Sequence, residues 1–264
     1  MSGLSYTIPA FAWLACTLVF VVFWWHQTRT SNANRVDVAW AASIGVLALA
    51  YAALGAGSPV MRLLVAVLPA VWSARLTLHI WQRSGHAEED SRYAYLRRHW
   101  NQQTQLKFFV FYQLQALTVM VFSFQFFLLA NRADDPATWQ ILLAVIIGLT
   151  AVLGESLADR QLTRWRQDPA NAGRTCRSGL WRYSRHPNYF FEWLHWWAYV
   201  PLALGTPWWW IPLATQALML GTLLFGTGIP HAERQALIRR GEDYRDYQRT
   251  TSAFLPLPPR QVNR

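Results

Sequence analysis

Charge is scarce in this chain. Only 14% of its 264 residues are Asp, Glu, Lys or Arg, against 53% hydrophobic ones, so it lacks the polar surface an ordinary soluble domain shows to water. Cysteine is scarcer still: Cys16 falls in an apolar stretch and Cys176 in a polar one, so no disulfide between them is expected. No ligand-spaced Cys/His cluster is present, and a metal site is not indicated. The sequence has no GxGxxG run and no alternation of strand and helix patterns, which excludes a soluble dinucleotide-binding fold. Internal repeats and long linkers are missing too, and without paired interrupted helices a transporter is disfavoured.

What the chain has instead is long apolar runs. Seven stretches are extended enough to cross roughly 30 Å of hydrocarbon: 7–25, 37–55, 60–80, 107–130, 139–158, 188–204 and 208–229. The expected fold class is all-α, a polytopic membrane protein with a bundle of seven transmembrane helices, forming one integral membrane domain over 1–264. The first run has no basic segment before it and no clear small-residue cleavage site, so it reads as a span rather than a signal peptide. The Trp208-Trp209-Trp210 run suits an interfacial belt.

The cations fix an orientation. All but Arg62, Arg75 and Arg132 of the 24 basic residues fall in the segments after the first, third, fifth and seventh runs, counting Lys107 at the edge of the fourth run. Basic residues collect in cytoplasmic loops, so a multi-pass protein with a non-cytoplasmic N-terminus and a cytoplasmic tail is expected, as in a bacterial inner membrane. That rule and attraction to anionic lipid headgroups account for the net charge of +10, and no nucleic-acid partner is needed.

Ionisable groups at membrane depth are expensive and normally line a wet cavity or a helix interface. The run from Gly179 to Glu192 therefore stands out, because it sets Arg182, Arg185, His186, Asn188 and Glu192 at the start of the sixth apolar stretch. Asn188, Glu192 and His195 share one helical face. Asp159 and Arg166 are two turns apart at the end of the fifth stretch, with Glu155 one turn earlier, while Gly173 and Gly179 permit turns between. Arginine forks suit phosphate oxygens, a helix start at Pro187 would offer free amides, and Trp181, Tyr183 and Tyr189 offer flat stacking faces. The pattern reads as a site for a phosphate-bearing cofactor.

Other polar residues are open to two readings. Arg75, His79 and Arg83 lie on one face of the third stretch, either lining the cofactor entrance or snorkelling to the interface. Asp37 is either a helix-start residue or a buried carboxyl kept neutral and donating. Gln113, Gln115 and Gln125 suit polar contacts between helices, and His231, Glu233 and Arg234 suit a solvated helix edge.

The stretch 178–192, Trp196 and Trp197, the tail Gly241-Glu242-Asp243-Tyr244-Arg245-Asp246-Tyr247-Gln248-Arg249 and the run Phe254-Leu255-Pro256 resemble the steroid 5-alpha-reductase superfamily, most closely its bacterial branch. The resemblance covers the C-terminal half well and the N-terminal half thinly. It implies seven helices with cytoplasmic loops completing a cofactor site, residues 1–130 serving the substrate and 131–264 the cofactor. The activity implied is NADPH-dependent reduction of the carbon–carbon double bond of a 3-oxo-4-ene steroid or another lipophilic enone drawn from the membrane lipids. Carried over residue by residue, it assigns Asp159, Arg166, Asn188 and Glu192 to NADPH, with Arg249, Tyr183, Arg185 and His186 as further contacts; His79 and Arg83 join the cofactor entrance only on the first of their two readings above.

The family's carbonyl-polarising glutamate and tyrosine fall, by the same resemblance, near Asp37 and Trp72. Both positions depart from the pattern: Asp is a methylene shorter, and an indole N–H donates a hydrogen bond but does not deliver a proton as a phenol does. The alternative is an S-adenosylmethionine-dependent membrane methyltransferase of the isoprenylcysteine or phospholipid type, which shares an Arg-His-Pro motif followed by a carboxylate.

Overall fold

A computed structural model describes residues 7–84, 88–100, 102–226 and 228–260. It divides into two compact units, Met1–Ala137 and Thr138–Arg264. Among the described residues every regular element is helical, so the fold class is all-α.

The first unit holds α1 (Thr7–Thr30), α2 (Arg35–Leu54), α3 (Pro59–Ser84), α4 (Ser91–Trp100) and α5 (Thr104–Ala130). Its tightest packing is α2 on α3. Gly45 makes that approach possible, since a Cβ there would lie 2.3 Å from Ser73 Oγ, and the Ser73 hydroxyl donates to the Ala41 carbonyl across the same seam at 2.6 Å. Orphan carbonyls at the end of α2 are taken up by Arg62, which donates to Ala52 O at 2.7 Å and Ala53 O at 3.0 Å. The α2–α3 turn is tied to the end of α5 by Gly57 N–H to Ala130 O at 2.9 Å and Ser58 N–H to Arg132 O at 2.8 Å.

The second unit holds α6 (Thr138–Gln167), α7 (Pro187–Trp197), α8 (Tyr199–Ala203), α9 (Trp210–Phe225), α10 (Ile229–Arg240) and α11 (Glu242–Thr250). Two 3₁₀ turns, Pro169–Asn171 and Gly179–Arg182, lie between α6 and α7.

Six helical stretches are long and apolar enough to cross a membrane: α1, α2, α3, α5, α6 and the span Trp210–Arg240. On α6, for example, Leu142, Ile146, Leu149 and Leu153 stand exposed at helical spacing, and α1 does the same with Phe11, Leu14, Leu18 and Val22. Faces this apolar and uncovered belong in lipid, where a helix also satisfies its own backbone. The chain is an integral multi-pass membrane protein.

One expected span differs. The stretch 188–204 is two short helices, α7 and α8, that meet at Ala198. Pro201 explains the break, because it has no N–H for the Trp197 carbonyl and its ring crowds that group. Gln140 of α6 completes the unwound end, donating to Pro201 O at 2.8 Å and Leu204 O at 3.3 Å.

Candidate functional site

In the second unit, α6 and α7 pack closely because Gly154 leaves room for Phe191: a Cβ on Gly154 would sit 2.4 Å from that ring. This contact brings together the residues the sequence singled out. Asn188, in the first turn of α7, donates from Nδ2 to Asp159 Oδ1 on α6 at 3.3 Å. Asp159 is buried, as is Glu155 one turn before it, and Glu192 is half-buried one turn beyond Asn188. The 3₁₀ turn Gly179–Arg182 is pinned on α6 as well, by the Trp181 indole N–H to Ala158 O at 2.9 Å and the Leu180 N–H to Gln161 Oε1 at 2.9 Å. Gly173 and Gly179 take φ of 75° and 58°. Arg166 lies two turns past Asp159 and is exposed.

His195 follows a different course. Sequence spacing places it on the face of Asn188 and Glu192, yet it is fully buried and hydrogen-bonded through Nε2 to the Tyr199 hydroxyl at 2.7 Å. It joins α7 to α8.

Tyr183, Arg185 and His186 hold the chain's tail. The Arg185 guanidinium donates to Glu233 Oε1 at 2.6 Å and to the carbonyls of Thr251 at 2.6 Å and Gln248 at 3.2 Å. His186 Nδ1 lies 3.0 Å from Ala253 O, and its ring stacks on Tyr189 at 5.5 Å. The Tyr183 carbonyl accepts from Leu257 N–H at 3.0 Å, Ser184 Oγ donates to Phe254 O at 2.8 Å, and the buried Tyr247 hydroxyl donates to Trp181 O and Ser184 O. Residues 244–257 therefore form a strap across the start of α7.

Glu233 corrects one expectation. It is not a solvated helix edge: its side chain is 16% exposed and also accepts from Gln248 Nε2 at 2.9 Å. The reason is Arg185, whose buried charge requires a partner. Arg249, also expected at the cofactor, is exposed on α11.

The stability of this strap is expected to depend on pH. Burial pushes the His186 imidazole below its usual range and Arg185 acts the same way, while the Ala253 carbonyl and Glu233 pull upward without reversing the effect. An unfolded His186 takes a proton below about pH 6.5 that the strapped form rejects. Stability from the strap is thus complete above that pH and falls below it, by at most about 1.4 kcal/mol per pH unit. Hydrogen exchange, corrected for intrinsic rates, is expected to show protection of residues 244–254 dropping between pH 7.5 and 5.5; constant protection would refute this.

In the first unit, the side chain of Asp37 in the first turn of α2 meets α4. Its Oδ1 accepts the Tyr93 hydroxyl at 2.6 Å, and its Oδ2 pairs with Arg92 at 2.8 Å. Arg92 is shared with Asp90 at 3.1 Å. Burial opposes ionisation of Asp90, but the Arg92 guanidinium overrides it and holds that carboxyl below the usual range. Burial, reinforced by the Asp37 charge, pushes the Tyr93 phenol well up, so it keeps its proton. Around them Asn34 clasps the preceding turn, donating to Glu88 O at 3.1 Å and accepting from Asp90 N–H at 2.7 Å.

Both Asp37 oxygens are taken up by donors, Arg92 and Tyr93, whereas one of the two readings of the sequence had Asp37 itself donating. The proton-bearing group beside it is Tyr93, which sequence reasoning missed. Trp72 is fully buried on α3, edge-on to Trp40 at 6.4 Å. On the same helix His79 is half-buried, while Arg83 is exposed and close enough to Asp90 to help lower its pKa.

Residues 23–251 match the family model described as a protein of unknown function, DUF1295. The chain belongs to this family. DUF1295 proteins are related to the steroid 5-alpha-reductase-like membrane enzymes, in line with the motif resemblance. An uncharacterized protein of Schizosaccharomyces pombe, C594.04c, is 26% identical over 202 residues, which cover 66% of this chain. The match spans 58% of that relative's own length.

Proposed function

We propose that this DUF1295 protein is an NADPH-dependent reductase of the carbon–carbon double bond of a lipophilic enone, such as a 3-oxo-4-ene steroid. The observation that carries this reading is the Asn188–Asp159 hydrogen bond across α6 and α7, at the positions where the family resemblance puts cofactor contacts. The donor set fits one part of the dinucleotide. Asp159, Glu155 and Glu192 are acceptors for ribose hydroxyls and for a carboxamide N–H, and the Asn188 amide both donates and accepts.

When bound, NADPH would supply the hydride for the β-carbon of the enone, and the α-carbon would take its proton from water. Asn188 and Asp159 bind and orient the cofactor. The family resemblance puts the carbonyl-polarising group near Asp37, where Tyr93 is the donor that would hydrogen-bond a carbonyl oxygen on which negative charge develops. Its hydroxyl rotates about the C–O bond from Asp37 to that oxygen, while Arg92 keeps the Asp37 carboxylate in place. Trp72, fully buried and edge-on to Trp40, would act from behind by packing the Trp40 ring.

The test is purified full-length protein in nanodiscs, given NADPH and a panel of steroid and isoprenoid enones. The expected result is enone-dependent loss of nicotinamide absorbance with a product two hydrogens heavier. Binding of S-adenosylmethionine, with none of NADPH, would overturn the reading in favour of a methyltransferase.

A further inference from the structure

Tyr93 is the one buried residue of α4, a helix of ten residues. So short a helix gains little from its own backbone, and its place is set by what its side chains grip. Asp37 alone is not a sufficient anchor for the ring. The phenol hydroxyl leaves Asp37 whenever it turns to a carbonyl oxygen, and a donor loose by more than roughly 0.5 Å loses its alignment. The fixed point must lie elsewhere on α4.

Arg97 provides it, one turn beyond Tyr93 on the same helical face. Its guanidinium pairs side-on with Glu89, Nη2 to Oε1 at 2.7 Å and Nε to Oε2 at 3.0 Å. Nη2 also donates to Gln27 Oε1 at 3.1 Å. Gln27, fully buried near the end of α1, passes the tie to α5 by donating from Nε2 to Gln105 Oε1 at 2.7 Å. Glu89 Oε1 accepts the Ala33 N–H at 2.9 Å as well, so the pair is fastened to the turn before α2. The Arg97 guanidinium lies over the Phe108 ring at 4.6 Å, and one turn along α5 the Tyr93 ring meets Phe111 at 5.9 Å. Helix α4 thus stands on α5 at two rungs, a charged one at Arg97 and an apolar one at Tyr93.

The Arg97 and Glu89 side chains are 23% and 12% exposed. An ion pair so far withdrawn from water is weak evidence of stability, and the best-attested use of such pairs is to fix register. We propose that Arg97, braced by Glu89 and Gln27, is a positioning residue that fixes the height and tilt of α4 on α5 and so aims the Tyr93 hydroxyl at the substrate carbonyl. The proposal rests on the reductase reading and on Tyr93 as the polarising donor. Arginine suits the task because one planar fork meets two acceptors and a ring face, which the point charge of a lysine does not.

The test is a double-mutant cycle between Arg97→Gln and Tyr93→Phe in full-length protein in nanodiscs, read as single-turnover oxidation of bound NADPH by whichever enone of the panel the wild type reduces fastest. Arg97→Gln is expected to slow turnover about tenfold, with NADPH affinity and enone KM unchanged, and to add nothing further once Tyr93 is replaced by Phe. Arg97→Lys is expected to regain part of the loss. Losses that multiply in the double variant, or wild-type turnover in Arg97→Gln, would overturn the proposal. A second measurement needs no substrate: fluorotyrosine at position 93 is expected to give one sharp fluorine resonance in the wild type and a shifted or broadened one in Arg97→Gln. If the wild type reduces no enone while this difference is seen, the reductase reading fails and only the hold on α4 stands; an unchanged resonance refutes the anchor itself. Should Arg97→Gln not fold, as a melting curve would show, Glu89→Gln weakens the same pair and carries the same cycle and the same resonance.

Discussion

Asn188→Ala is expected to weaken NADPH binding by about 10- to 100-fold, the range for losing one or two hydrogen bonds to charged or buried partners. The Asn188 amide is the donor that meets Asp159 across α6 and α7. Its removal leaves a buried carboxylate with one donor fewer and takes away the group assigned to orient the cofactor. Asn188→Asp is expected to be worse, because two carboxylates would then face each other at hydrogen-bond distance. Fluorescence titration with NADPH measures both variants, and a melting curve without cofactor separates binding from folding. A lower melting temperature with unchanged NADPH affinity would make Asn188 a structural tie and remove the main support for the reductase.

Tyr93→Phe is expected to lower turnover by about 10²- to 10³-fold, the effect of deleting one donor to a developing oxyanion, and to leave the dissociation constant of NADPH unchanged. Phenylalanine keeps the ring packed on Phe111, 5.9 Å away, and removes only the hydroxyl that Asp37 accepts. Asp37→Asn is expected to lower turnover too, while replacing an Arg92–carboxylate pair by an Arg92–amide contact. Trp72→Phe is expected to have a smaller effect, acting through the packing of Trp40. Single-turnover rates with a saturating enone provide the measurement. Normal turnover in Tyr93→Phe would refute the assignment of the polarising group.

Hydrophobic runs made most of the helices readable. The stretches 37–55, 60–80 and 139–158 lie within two residues of the start of Arg35–Leu54, Pro59–Ser84 and Thr138–Gln167, because apolar length is what lipid demands of a span. The extension of α6 to Gln167 follows from polar residues that stay helical beyond the apolar run, as the Asp159/Arg166 spacing suggested. The break at Ala198 was hidden because the stretch 188–204 is apolar throughout and its one irregularity is a proline, which membrane helices often tolerate.

At the candidate sites, local spacing on α6 and α7 was enough to pick Asp159, Asn188 and Glu192. Tyr93 was missed because its meaning depends on a partner 56 residues away in sequence. A signal was present in Asp90-Ser91-Arg92-Tyr93, where an acid caps the start of α4 by accepting from Arg92 N–H at 2.9 Å. The engagement of Arg185 was equally out of reach, since its carboxylate, Glu233, lies 48 residues on.

The strap has a consequence for synthesis. Tyr247 reaches back 66 residues to Trp181 and Ser184 Oγ reaches forward 70 to Phe254, so α6 and α7 leave the ribosome well before the segment that fastens them is made. A nascent chain stalled after α9 would already have its spans inserted, with Arg185 a bare cation awaiting Glu233. The closing of this segment is then a natural checkpoint between a chain that is merely embedded and one that is finished.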